Sequence, residues 1–111
     1  MLEMQTTETG QTALIDSDLT IYEVEQFHQA LAPLMDREGT LSVDLGQVSE
    51  IDSAGVQLLL VFKREREQAG RETHLVNHSD AVLDVFQLMN LAGHFNDPIV
   101  YPRNRADKEA R

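Results

Sequence analysis

Apolar residues recur along the chain with two different periods, and the switches between them outline its elements. Thr12-Ala13-Leu14-Ile15 is short and β-prone, and Leu41-Ser42-Val43-Asp44-Leu45 alternates at period two, as a half-buried strand does. Between these strands Val24, Phe27, Leu31 and Leu34 recur at steps of three and four, which makes one apolar stripe on a helix. Pro33 removes a backbone donor and clashes with the preceding turn, so this helix should kink or end early. Gly39 closes the segment before the second strand.

A second helical run follows the loop that starts at Gly46-Gln47, with Val48 and Ile51 leading into Asp52-Ser53. On a helical wheel Gly55, Leu58, Leu59, Phe62 and Ala69 face one way and Gln57, Arg64 and Gln68 the other, with Gly70 ending the run. Val56 and Leu60 fall on a flank, where they either widen the core contact or form an apolar patch beside Ser53. Thr73-His74-Leu75-Val76 reads as a third strand. Ser79 then caps a helix with Val82, Leu83, Phe86 and Met89 inward. Pro98-Ile99-Val100-Tyr101-Pro102 reads as a short edge strand, because prolines bound it. Strands alternating with helices, with one or two antiparallel edges, predict an α/β sandwich with helices packed on a mixed sheet of four to five strands. One domain over residues 1–102 and a charged, disordered tail over 103–111 are expected.

Composition narrows the function classes. There is no cysteine among the 111 residues, so disulfide and thiol chemistry are excluded. No export signal or membrane-length apolar run is present, which leads to the expectation of a soluble, cytoplasmic protein. The net charge is -10, and residues 1–53 carry all of it, with 11 acids against the single base Arg37. Such a field disfavours nucleic acid and anionic lipid and attracts a basic protein partner; it also serves solubility alone.

Ser53 is the residue on which chemistry can be argued. A serine before a helical run is a natural N-cap, its oxygen accepting a first-turn N–H. If that oxygen carried a phosphate, the dianion would lie at the positive end of the helix dipole. Nucleophilic catalysis is disfavoured: Ile51 stands two before Ser53 where a hydrolase elbow has glycine, and no histidine is placed as its base. His28, His74, His78 and His94 are scattered, so no metal site is expected. The six glycines are single, which excludes the phosphate-binding and dinucleotide fingerprints, and no cofactor is expected. Asp16 and Asp18 point to one side of an extended segment, as a solvated strand end or as an acid–base pair.

Four segments, in order and at matching spacing, carry a family resemblance. Ser17-Asp18-Leu19-Thr20-Ile21 corresponds to a Gly-Glu-Leu-Asp loop, Val43-Asp44-Leu45-Gly46-Gln47-Val48 to "LDLSGV", and Ile51-Asp52-Ser53-Ala54-Gly55-Val56 to "IDSSGL". Leu75 to Val82, with Leu88-Met89-Asn90-Leu91-Ala92 beyond, matches the segment that ends in "LTGL". From about Gln11 to Val100 the chain resembles the STAS domain, the family of anti-sigma-factor antagonists and related small regulators. Thr20 stands where many members carry aspartate, and Ala54 where many carry a second serine, which leaves one hydroxyl in the motif. Leu19-Thr20-Ile21-Tyr22 and Gln57-Leu58-Leu59-Leu60 are similar to members associated with chemotaxis and signalling operons.

The resemblance implies a non-enzymatic partner switch. A serine kinase of the anti-sigma type would phosphorylate Ser53 and a phosphatase would restore it, while the unmodified form docks on the kinase or anti-sigma partner. It places docking on Asp18 and Thr20 in the first loop, and on Asp52, Ser53, Ala54, Gly55, Val56 and Leu60 around the start of the second helix. Related small members instead serve as accessory subunits of transport or chemotaxis complexes and bind without phosphorylation. A monomer or weak dimer is expected.

Overall fold

A computed structural model describes residues 1–89. Its elements run β1 (Leu2–Thr7), β2 (Gly10–Ile15), α1 (Val24–Leu31), a 3-10 turn (Ala32–Leu34), β3 (Leu41–Asp44), α2 (Ser53–Gln68), β4 (Thr73–Val76) and α3 (Asp80–Leu88). The strands form one mixed sheet in the order β1-β2-β3-β4, with β1 antiparallel to β2 and the other two pairings parallel. This is an α/β fold of the kind the alternating pattern predicts. The proposed strand over Pro98–Pro102 and the tail over 103–111 lie outside the described residues.

Register explains the layering. Ala13, Val43 and Leu75 are direct neighbours across β2, β3 and β4, and all three are fully buried. Residues one position on, Leu14, Asp44 and Val76, fall on the opposite face and stay half-exposed. A single face is therefore sealed. Parallel neighbours need crossovers of one hand, which brings α1 and α2 to the same side of the sheet. There Phe27, Leu31, Val56, Leu59, Phe62, Val82 and Phe86 join the strand residues in one core.

The helix ends follow local chemistry. α1 stops at Leu31, and the chain tightens into a 3-10 turn holding Pro33, which is the early end that this proline predicts. At the end of α2, Gly70 has φ +80°, its N–H donates to Glu67 O (3.0 Å) and the Arg71 N–H to Arg66 O (2.9 Å). Those two bonds satisfy orphan carbonyls in a left-handed cap that glycine enters without strain. Ser79 accepts from the Val82 N–H (3.3 Å) and caps α3 as expected.

Three expectations need correction. The N-terminal hairpin strand β1 has no counterpart in the expected elements, although Leu2 and Met4 alternate with exposed Glu3 and Gln5. Ala69 is exposed as the C-cap residue of α2, not part of its inner face. In its place the cationic Lys63 and Arg66 are buried, 5% and 0% exposed. The inward stripe of α2 thus runs Gly55, Val56, Leu59, Phe62, Lys63, Arg66. Its spacing of three and four is regular, but two of its members are charged.

Candidate functional site

The crossover loops β2–α1 and β3–α2 leave the sheet at the carboxyl ends of parallel strands, where open α/β folds form crevices. Here the two loops are tied to each other. Leu19 and Ile51 form an isolated parallel bridge, with the Leu19 N–H donating to Glu50 O (2.9 Å) and the Asp52 N–H to Leu19 O (3.3 Å). Asp18 Oδ1 accepts from the Glu50 N–H (3.2 Å). This bridge brings residues more than thirty apart in sequence onto one small surface.

Asp52 is the N-cap of α2, and Ser53 is its first helical residue. That corrects the expectation that Ser53 is the cap. Asp52 has extended backbone, φ -124° and ψ -174°, and its Oδ1 accepts from the Ala54 N–H (3.0 Å) and the Gly55 N–H (3.3 Å). A carboxylate one residue earlier satisfies the first-turn donors and gains from the helix dipole, which leaves no need for the serine to turn inward. Asp52 Oδ2 also accepts from the Ile21 N–H (2.9 Å), across the loop bridge. That bond foremost holds the Asp52 carboxyl below its ordinary value; partial burial opposes it, and the Gly55 and Ala54 amides assist.

The Ser53 hydroxyl is exposed and makes no hydrogen bond to any described residue. Without a bonded base it is not an activated nucleophile, but it is open to an incoming phosphoryl donor. Thr20 lies in the β2–α1 loop next to the bridge residue Leu19. The Thr20 hydroxyl donates to Glu23 Oε1 (2.6 Å), the Thr20 N–H donates to the same oxygen (2.9 Å), and the Tyr22 N–H donates to Thr20 Oγ1 (3.3 Å). These bonds close the turn ahead of α1, whose own N-cap, Glu23, makes no side-chain cap bond.

Not all of the expected docking residues reach the surface. Asp18, Thr20 and Asp52 lie in the bridged loops, and Ser53 and Ala54 follow in the first turn of α2. Leu60 is half-exposed, two turns along α2 on the Ser53 side, with exposed Gln57 between. Gly55 and Val56 are turned into the core; Val56 is 0% exposed, so of the two placements it takes the core one. A Cβ on Gly55 would collide with the Leu19 carbonyl oxygen, so the close approach of the two loops requires glycine there. Ile21 and Tyr22 were not among the expected site residues. They are 59% and 89% exposed and border the Asp52 contact. Two large apolar side chains in a loop ahead of a helical stripe were the available signal.

Among the described residues no group of three histidine or acidic side chains could hold a metal, and no helix is long and apolar enough to cross a membrane. His74 contacts Glu72 (3.0 Å), and His78 packs edge-on against Phe86 with ring centroids 5.4 Å apart. His94 lies outside the described residues.

Comparison with known proteins gives consistent matches. A family model described as "Mlab, STAS domain" matches residues 4–101. An anti-sigma-factor antagonist (STAS) domain protein from Planctomyces limnophilus superimposes with a TM-score of 0.75 and 16% identity, over 95% of this chain and 93% of the other. The Bacillus cell fate determinant SpoIIAA in its phosphorylated form superimposes with a TM-score of 0.62 and 23% identity over 100% of both chains. The murine solute carrier 26 family member A9 anion transporter matches at a TM-score of 0.61 and 25% identity, over 78% of this chain but 14% of the transporter. Among curated protein sequences there is no match.

Proposed function

The chain belongs to the STAS domain family, and from that premise we propose that it is a non-enzymatic binding module of the anti-sigma-factor-antagonist type, switched by reversible phosphorylation of Ser53. One observation carries the reading: the Ser53 hydroxyl is solvent-exposed and uncommitted at the start of α2, because Asp52 has taken over the capping. The unmodified form docks on a serine kinase or anti-sigma-type partner through the bridged loops, Ser53 and the half-exposed Leu60, and a phosphatase resets it. Phosphorylation adds about 1.5–2 negative charges beside Asp52, which disfavours a close interface. A structural neighbour that exists in a phosphorylated form supports this reading.

Phosphopeptide mapping after incubation with the cognate kinase and ATP should find Ser53 modified. A demonstrated partner kinase that leaves Ser53 untouched would end the switch reading. Ser53→Asp should weaken partner binding by at least about tenfold in calorimetry, whereas Ser53→Ala should leave it near the native value.

The transporter neighbour supports a second reading, that of an accessory subunit of a transport or chemotaxis complex bound without phosphorylation. Binding that survives Ser53→Asp, with no phosphate on the protein purified from its native cell, favours this one.

A further inference from the structure

We propose that Asp52 is a positioning residue that couples the state of Ser53 to the presentation of the apolar pair Ile21 and Tyr22. The inference rests on the switch reading for its biological use, but its physical content concerns this chain alone. Ile21 and Tyr22 lie between β2 and α1, outside any regular element, with 59% and 89% of their surfaces open. The Thr20 side chain orders the turn internally, through its bonds with Tyr22 and Glu23. The Ile21 N–H, by contrast, reaches Asp52 Oδ2 at 2.9 Å and so ties this pair to the head of α2.

One carboxylate therefore serves two structures. Its Oδ1 is oriented by the Ala54 and Gly55 amides of the first helical turn, and its Oδ2 orients Ile21. A phosphate on the adjacent Ser53 is a second, stronger acceptor for those first-turn amides, and its charge repels the carboxylate. Asp52 cannot turn away without giving up Ile21. The disturbance should stay local, because the helix start is also held by the Val56 N–H to Asp52 O bond (3.1 Å), and the loop bridge by the Leu19 and Asp52 amides. Phosphorylation would thus do more than place charge on the docking face: it would release the apolar pair from its place on that face.

Backbone amide hydrogen exchange on the full chain tests this without kinase or partner. Ser53→Glu should speed exchange of the Ile21 amide by about tenfold or more, with the Leu19 amide unchanged, and Ser53→Ala should change neither. Asp52→Asn should loosen Ile21 by itself, and adding Ser53→Glu to it should produce no further change at Ile21. Ile21 exchange that is the same in Ser53→Glu and Ser53→Ala overturns the coupling, as does an equal rise at Leu19, which would mean general loosening. The Ser53 pair decides the matter even if Asp52→Asn fails to fold, since Ser53 is exposed. A null result here leaves the kinase test of the switch standing, and an unmodified Ser53 in that test leaves the exchange result standing.

Discussion

At the start of α2 a carboxylate gathers three backbone N–H groups; in the last turn of the same helix a guanidinium gathers three backbone carbonyls. Arg66 Nη1 donates to Leu34 O (2.6 Å) and Arg37 O (2.9 Å), Nη2 to Gly39 O (3.1 Å), and Nε to Thr73 Oγ1 (2.8 Å). Both charges have the sign that the helix dipole favours at their end. Both also fasten a loop that arrives from far along the chain. They differ in access to water: Arg66 is 0% exposed, while Asp52 is half-buried beside an exposed hydroxyl. Burial, then the charge of Arg71, draws the Arg66 pKa down, yet a guanidinium stays protonated, so its carbonyl partners are obligatory. The buried end is a fixed fastening. The exposed end is one that a modification can reach.

The largest effect should come from breaking the buried end. Arg66→Ala removes four charge-assisted bonds, orphans the Leu34 carbonyl in the interior and opens a cavity, and should cost about 3–5 kcal/mol in denaturant melts. A loss under about 1 kcal/mol would mean that water replaces the guanidinium and that the two ends are alike.

A smaller loss is expected at the exposed end. Asp52→Ala removes the cap and the Ile21 tie, and should lower the Tm by about 4–8 °C. Because the folded-state pKa of Asp52 lies below the ordinary 3.8, its contribution is fully present above that value and is lost as the pH falls through the lower folded one. Acid melts of Asp52→Asn should therefore show a flatter decline below pH 3.8 than the native chain. Equal slopes would show that the three N–H bonds do not favour the charged form.

The smallest effect sharpens the contrast between neighbours. Ser53→Ala should change stability by less than about 0.5 kcal/mol, since Asp52 supplies the cap and the Ser53 hydroxyl holds nothing. A cost near 1 kcal/mol in the same melts would return the capping role to Ser53.

Much of this molecule is determined locally and can be read without coordinates. Period-two alternation located β3, β-prone composition located the end of β2, and Thr73–Val76 reads as a strand with the same bounds as β4. Pro33, Gly70 and Ser79 marked helix boundaries through their own backbone chemistry, whatever packs around them. The motif around Ser53 matched the family to which the chain belongs. Tertiary structure decided the rest, because those features depend on partners distant in sequence. β1 is a strand by virtue of pairing with β2, its own apolar alternation being too short to stand out. Asp52 rather than Ser53 caps α2 in a geometry where the Leu19–Ile51 bridge also delivers the Ile21 N–H to the same carboxylate. The burial of Arg66 depends on carbonyls supplied by Leu34, Arg37 and Gly39, which reach it only when the segment after α1 folds over it. Periodicity reports which face of a helix is inward; which polar groups wait there to receive a charge is settled only when distant backbone segments meet.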